Sequence, residues 1–228
     1  MLKKLRDMLT HRRIAEERNR ALRARFGRSL EELKGLFSRP LDMVRISATE
    51  KRPSRYPEIS SLLPGTGINA FYAHFQLESN KVHELIEGIK NGFDKVDEHL
   101  YIRRSGNEAG DFFISIAFSN EFSGSIVSMM TNDTSVLDRI VVANSSPPPP
   151  WVAFPEISEP LKLGFLQGDI EYWWDNYWSS FWESLTAEER EAYLGRHGAT
   201  EEWKRCIWLH GREARELLES ALSEKDQG

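Results

Sequence analysis

The stretch DFFISIAFSNEFSGSIVSMMT, Asp111–Thr131, decides the fold class. It contains two strand-like runs, Asp111–Phe118 and Ser125–Thr131, on either side of the turn-forming pair Ser123-Gly124. Apolar side chains fall at both parities of the first run: Phe113 as well as Phe112, Ile114, Ile116 and Phe118. A strand of that kind is expected to be covered on both faces.

Working outward, Leu100–Arg103 reads as a strand before this pair and Asp138–Asn144 as one after it. Ser105-Gly106-Asn107 and Asn132-Asp133 supply the turns. Ile68–Leu77 alternates in part and is rich in aromatics, so it reads as a further strand. Val82, Leu85, Ile86, Ile89 and Phe93 lie on one face of a helix that starts near Asn80, with Gly92 near its end. The expectation is an α+β fold: a small antiparallel sheet within 68–144 packed against helices.

The flanks divide the chain into a basic N-terminal helical hairpin (1–37), a Pro/Gly-rich linker (38–67) and an acidic α+β domain (68–228). Positions 1, 5, 8, 12, 15, 19, 22 and 26 form one narrow, mostly apolar stripe on an otherwise charged helix. Gly27 ends it, and Ser29 with Glu32 spells a capping box for a second helix, Leu30 to about Phe37. The hairpin is expected as an appendage, and its stripe offers a homodimer seam. Pro40, Pro53, Pro57 and Pro64 make 38–67 a linker of mostly irregular structure. Ser145–Pro150, with four consecutive prolines, reads as a short extended spacer between the strand meander and a helical C-terminal part, 165–224. There Thr186 and Glu189 form a second capping box, and a last helix runs from Glu201 to about Leu222.

The net charge of −5 conceals an asymmetry. Residues 1–55 carry 16 Lys+Arg against 7 Asp+Glu, whereas residues 56–228 carry 14 against 28. An acidic body is a poor platform for nucleic acid and a good one for a basic protein. One cysteine, Cys206, excludes an internal disulfide framework. The basic start is interrupted by Arg6, Asp7, His11, Arg12 and Arg13 before any apolar core of a signal peptide develops. No apolar run approaches the ~20 residues of a membrane span. These features point to a cytoplasmic protein.

Asp169–Leu185 holds seven aromatic residues, four of them tryptophans. On an ideal helix, Ile170, Trp173, Trp174, Tyr177, Trp178, Phe181, Trp182 and Leu185 span half the circumference, which is the width of a core helix. Glu171 falls within that arc and Asp175 at its boundary. If the edge is exposed, Asp169, Glu171, Trp173 and Asp175 are the candidate partner-binding residues, because Trp and paired acids suit a protein hot spot.

The six histidines fall in no HExxH or other metal-binding pattern, and there is no CxxC, GxSxG or SxxK. Gly65-Thr66-Gly67 has no lysine at phosphate-loop spacing. No cofactor is expected. The run PPPPWVAFPEI…GFLQGDIEYWWDNYWSSFWESLTAEEREAYL, Pro147–Leu194, resembles segments of bacterial immunity proteins that accompany secreted or contact-delivered toxins. The resemblance implies a cytoplasmic inhibitor that binds its cognate toxin tightly and performs no chemistry. It carries over no functional residue. Two other readings stand beside it: a hydrolase using carboxylates near Glu171 and Asp175, and a nucleic-acid-binding adaptor using the basic N-terminal helices.

Overall fold

Strands β5 (Phe112–Glu121) and β6 (Gly124–Thr131) form the hairpin at the centre of the fold, with Glu121 opposite Gly124. The computed structural model describes residues 2–41, 56–60, 66–106, 110–143 and 145–211. The sheet is antiparallel throughout, in the order β1-β2-β6-β5-β4-β3, with β1 (Ile59–Ser60), β2 (Phe71–Leu77), β3 (Asp94–Lys95) and β4 (Leu100–Arg103). The fold is α+β, as the strand pattern requires.

Both residues of the β5–β6 turn, Phe122 (φ 52°) and Ser123 (φ 55°), are left-handed. A two-residue turn of that hand matches the twist of the flanking strands, but each non-glycine residue held there is strained. Phe122 is kept by packing, with its ring centroid 5.6 Å from that of Phe154 and 6.3 Å from that of Tyr172. Ser123 is exposed and gains no such contact. Ser123→Gly is therefore expected to raise stability by about 0.5–1 kcal/mol, read as a higher urea midpoint at constant slope.

One face of the sheet, carrying Ala73, Phe75, Leu77, Ile114, Ile116, Val127 and Met129, packs on α3 (Val82–Ile89) and α4 (Thr134–Val142) through Leu85, Ile89, Val136 and Ile140. The segment expected as a fourth meander strand, 138–144, is thus helical as far as Val142; Asn144 lies outside the described residues. Asp133 explains why. Its carboxylate caps the helix by accepting from Ser135 N at 3.0 Å, and it receives the Arg103 guanidinium at 2.6 Å. Val136, Leu137 and Ile140 then share one helical face. The β-branched run suggested a strand by composition, but its burial follows the helical period.

The opposite face of the sheet is covered by α1 (Leu2–Phe26) and α2 (Leu30–Leu36). Leu22, Phe26, Leu33 and Phe37 bury against Ile68, Ala70, Ala117 and Met130. The hairpin is therefore a layer of the core and not an appendage. The double-sided hydrophobicity of β5 required a second cover, and these helices provide it. Gly27 (φ +67°) turns the chain between them, Ser29 and Glu32 form the reciprocal capping box, and Asn19 Oδ1 accepts from Leu30 N at 2.8 Å. Within α1, Arg12–Arg18 are exposed, so this part of the stripe is not covered.

Tyr56 anchors the described start of the chain after the first helices. Its hydroxyl accepts from Gln76 N at 2.8 Å and donates to Gln76 O, beside the β1–β2 pairing. The rest of the expected linker, 42–55 and 61–65, lies outside the described residues. The proline run is not a solvated spacer. Pro147–Pro150 are buried, Tyr193 Oη donates to Pro147 O at 2.7 Å, and Pro150 opens the short helix α5 (Pro150–Ala153). A tract that exposes no N–H groups can be buried at low polar cost.

The C-terminal helices are α6 (Asp169–Trp173), a wide turn (Trp174–Trp178), α7 (Ser179–Ser184), α8 (Ala187–Arg196) and α9 (Glu201–His210). The Thr186/Glu189 capping box forms as its spacing predicts. The continuation of the last helix expected to Leu222 lies outside the described residues from 212 onward.

Candidate functional site

Ile170, Trp173, Trp174, Tyr177, Trp178 and Phe181 are all buried. Trp173, Trp178 and Trp182 stack in series at 5.6 Å and 5.3 Å, with interplanar angles of 22° and 15°. This is core. Trp173, expected at the partner-binding edge, is 0% exposed and donates from Nε1 to Gln76 Oε1 at 2.6 Å, so it cannot touch a partner in the folded chain.

Glu171, expected within the aromatic arc, is exposed. The wide turn accounts for the difference. Ser179 N–H bonds Trp174 O, five residues back. Residues in such a turn advance by less than the ~100° of an ideal helix. Trp178 and Trp182 consequently rotate back onto the Ile170–Trp174 side, and Glu171 is left facing solvent. Asp169 and Asp175 are exposed as well. Among the described residues none of these three carboxylates forms an ion pair. Tyr172, 49% exposed, stands among them, and Phe165, 89% exposed, lies in the preceding loop.

A second feature was not anticipated from the sequence. A cleft of about 450 Å³ opens between α1 and the start of the tryptophan helix, on the hairpin-bearing face of the sheet, over the part of it that the hairpin does not fill. Ala21, Ala24 and Arg25 form one wall and Tyr172 and Tyr177 the other, with His74, Ala117, Ser119, Ile126 and Ser128 between them. The polar wall is a connected chain. His74 Nδ1 lies 2.9 Å from Ser128 Oγ, His74 Nε2 lies 3.1 Å from Tyr177 Oη, and the Tyr177 ring stands edge-on to Tyr172 with centroids 6.2 Å apart. Arg25 Nη1 donates to Tyr72 Oη at 3.3 Å, and the Tyr72 ring stacks on His74 at 6.2 Å. Only register could have revealed this: His74 and Ser128 are direct cross-strand partners, 54 residues apart in sequence.

Ser128, His74 and Tyr177 have the order of a nucleophile, a base and an orienting group. This trio lacks the electrostatics for that chemistry. Burial, and then the Arg25 cation, pull the His74 imidazole down to about 4. Burial first, and then the Tyr172 hydroxyl, push Tyr177 above its ordinary value, so a neutral phenol would face the imidazolium. Ser128 also lies in mid-strand, paired to both β2 and β5, where backbone N–H groups are committed to the ladder. The arrangement is a neutral, pre-positioned hydrogen-bonding wall.

It has a pH signature. The folded value of His74, about 4, lies below the ~6.5 of an unfolded histidine. Between those values the unfolded chain binds more protons, so this contribution is complete above about pH 6.5 and is lost as pH falls toward 4. His197 is shifted downward too, by burial against the opposing pull of Glu78. Stability should rise across this window, and His74→Gln should flatten part of the slope in urea titrations at successive pH values.

Cys206 and His210, one turn apart, form no metal site with a third ligand among the described residues. Burial pushes the Cys206 thiol up to about 11, and the His210 ring sits 5.7 Å from Trp174. Among the described residues no helix is long and apolar enough to cross a membrane. Compared with protein-family models, curated proteins and solved structures, the chain matches none of them.

Proposed function

We propose that this chain is a non-catalytic, protein-binding inhibitor of the immunity-protein kind, which neutralises a basic bacterial toxin domain by stoichiometric binding in the cytoplasm. The observation that carries the reading is the exposed edge of the tryptophan helix. Three exposed carboxylates with no ion pair among the described residues, Asp169, Glu171 and Asp175, flank the half-exposed Tyr172 along the chain, and the exposed Phe165 precedes them in the loop. Such an edge offers aromatic anchors and a negative rim to a positively charged partner. The acidic balance of residues 56–228 and the resemblance over Pro147–Leu194 support the same reading. The helix beneath the edge is anchored in the core by Ile170, Trp173 and Trp174, so its backbone is already placed for binding. The hydrolase reading is weaker because Glu171 and Asp175 stand on an exposed helix surface and line no part of the cleft.

The test begins with the immobilised full chain and a native lysate. A captured protein is then purified, titrated against the chain and expressed with and without it. A 1:1 complex, suppression of the partner's toxicity and an association rate that falls with salt are the expected results. Recovery of nucleic acid in place of protein would support the adaptor reading and overturn this one. Asp175→Ala should change stability by less than about 0.5 kcal/mol, since the side chain is solvated. The same change should weaken the complex about tenfold or more. A large drop in Tm with normal binding by the folded fraction removes this edge as the site.

A further inference from the structure

The cleft between α1 and the tryptophan helix has opposite charges at opposite ends. Arg25 stands at the Tyr72 row of β2, where it donates to the Tyr72 hydroxyl. Glu121 lies beyond the Gln76 row, where its backbone carbonyl accepts from Gln76 Nε2 at 2.8 Å. Both residues line the same cleft. In the β2–β6–β5 register Glu121 faces Gly124, two positions past the Gln76 row, so six strand positions separate it from the Tyr72 row, about 20 Å at ~3.3 Å per residue, and the two side chains reach inward across much of that span. A single α-amino acid is too short to meet both charges. An extended chain of two or three residues covers about 7–11 Å.

The middle of the cleft also suits a peptide. Ser119 and Tyr172 present hydroxyls that can donate or accept, while His74, Ser128 and Tyr177 are already bonded to one another and hold that wall still. Ala21, Ala24, Ala117, Ile126 and the 41%-exposed Phe118 give apolar surface for small side chains. The volume, about 450 Å³, falls in the range of small-ligand sites.

We propose that this cleft binds a short zwitterionic peptide of two or three residues, lying along β2 with its carboxylate on Arg25 and its amino terminus on Glu121. The cleft shares Tyr172 with the acidic edge but none of its three carboxylates, and the proposal does not depend on the inhibitor reading. A lone anion would meet Glu121 unpaired, and a lone cation would meet Arg25 unpaired, so the pair of charges selects for a ligand that carries both.

The experiment is calorimetric titration of the full chain with trialanine and L-alanyl-L-phenylalanine, alongside their N-acetylated and C-terminally amidated forms and free alanine. Saturable binding of the free peptides is expected, with each blocked form weakened at least tenfold and alanine weaker than either peptide. Arg25→Gln should remove the preference for a free carboxylate, and Glu121→Gln the preference for a free amino group. Both side chains belong to exposed residues, so the variants should fold, which circular dichroism checks. Arg12→Gln, on the exposed part of α1, should bind as the parent does. Absence of saturable binding at millimolar peptide, or equal binding of free and blocked peptides, overturns the proposal. So does retention of both preferences in the two variants.

Discussion

Trp173→Ala is expected to cost about 3–5 kcal/mol, a large share of the ~5–15 kcal/mol that holds a typical domain together. The indole is fully buried, stacked on Trp178 and edge-on to Phe154 at 5.5 Å. Its truncation removes a large apolar surface, leaves a cavity at the centre of the aromatic cluster, and deprives Gln76 Oε1 of its donor. Gln76 is itself 0% exposed, so water cannot replace the bond without opening the core. Trp173→Phe separates the two effects. It retains most of the ring contacts and leaves only the orphaned amide oxygen, at a cost of about 1–3 kcal/mol. Urea unfolding followed by tryptophan fluorescence and by circular dichroism reads both. A loss below about 1 kcal/mol for Trp173→Ala would mean that the tryptophan cluster is not the core described here.

Phe26→Ala should be comparably severe, about 3–5 kcal/mol, because the ring is 1% exposed between α1, α2 and the sheet. A change of the same kind one half-helix earlier, Ile14→Ala, should lie within about 0.5 kcal/mol, since Ile14 is 49% exposed. The contrast distinguishes a hairpin that is a layer of the core from one that is an attached arm. For an arm, both substitutions would be mild, and removal of residues 1–37 would leave a stable remainder. For a layer, that removal uncovers Ile68, Ala117 and Met130. The shortened chain should then aggregate, which size-exclusion chromatography and dye binding to exposed apolar surface would report.

Local signals account for much of what the sequence made legible. The strand alternation in Ile68–Leu77, the turn between β5 and β6 and the capping boxes at Ser29 and Thr186 each act within a few residues of themselves, and the elements form where those signals lie. The run Asp138–Asn144 was misread because β-branched residues serve helices and strands alike. The cap that settles it, Asp133, derives part of its role from Arg103, 30 residues earlier. Glu171 was misplaced by a single wide turn, since the ideal-helix projection assumes uniform rotation and one i to i+5 bond breaks that phase.

The amino-acid sequence alone determined the α+β class, the breadth of the tryptophan helix's apolar side, the acidic body and the double-sided burial of β5. Each of these follows from periodicity or composition within one segment. It did not say which element covers the second face of β5, because apolar stripes carry no address for their partners. It placed His74, Ser128, Tyr177, Arg25 and Glu121 in separate segments with no motif to join them. The antiparallel register of β2, β6 and β5, together with the seating of α1 and the tryptophan helix on one face of the sheet, brings those five side chains around a single cleft. Side chains that meet only across strands and layers are positioned by tertiary packing, and no local pattern encodes their distance.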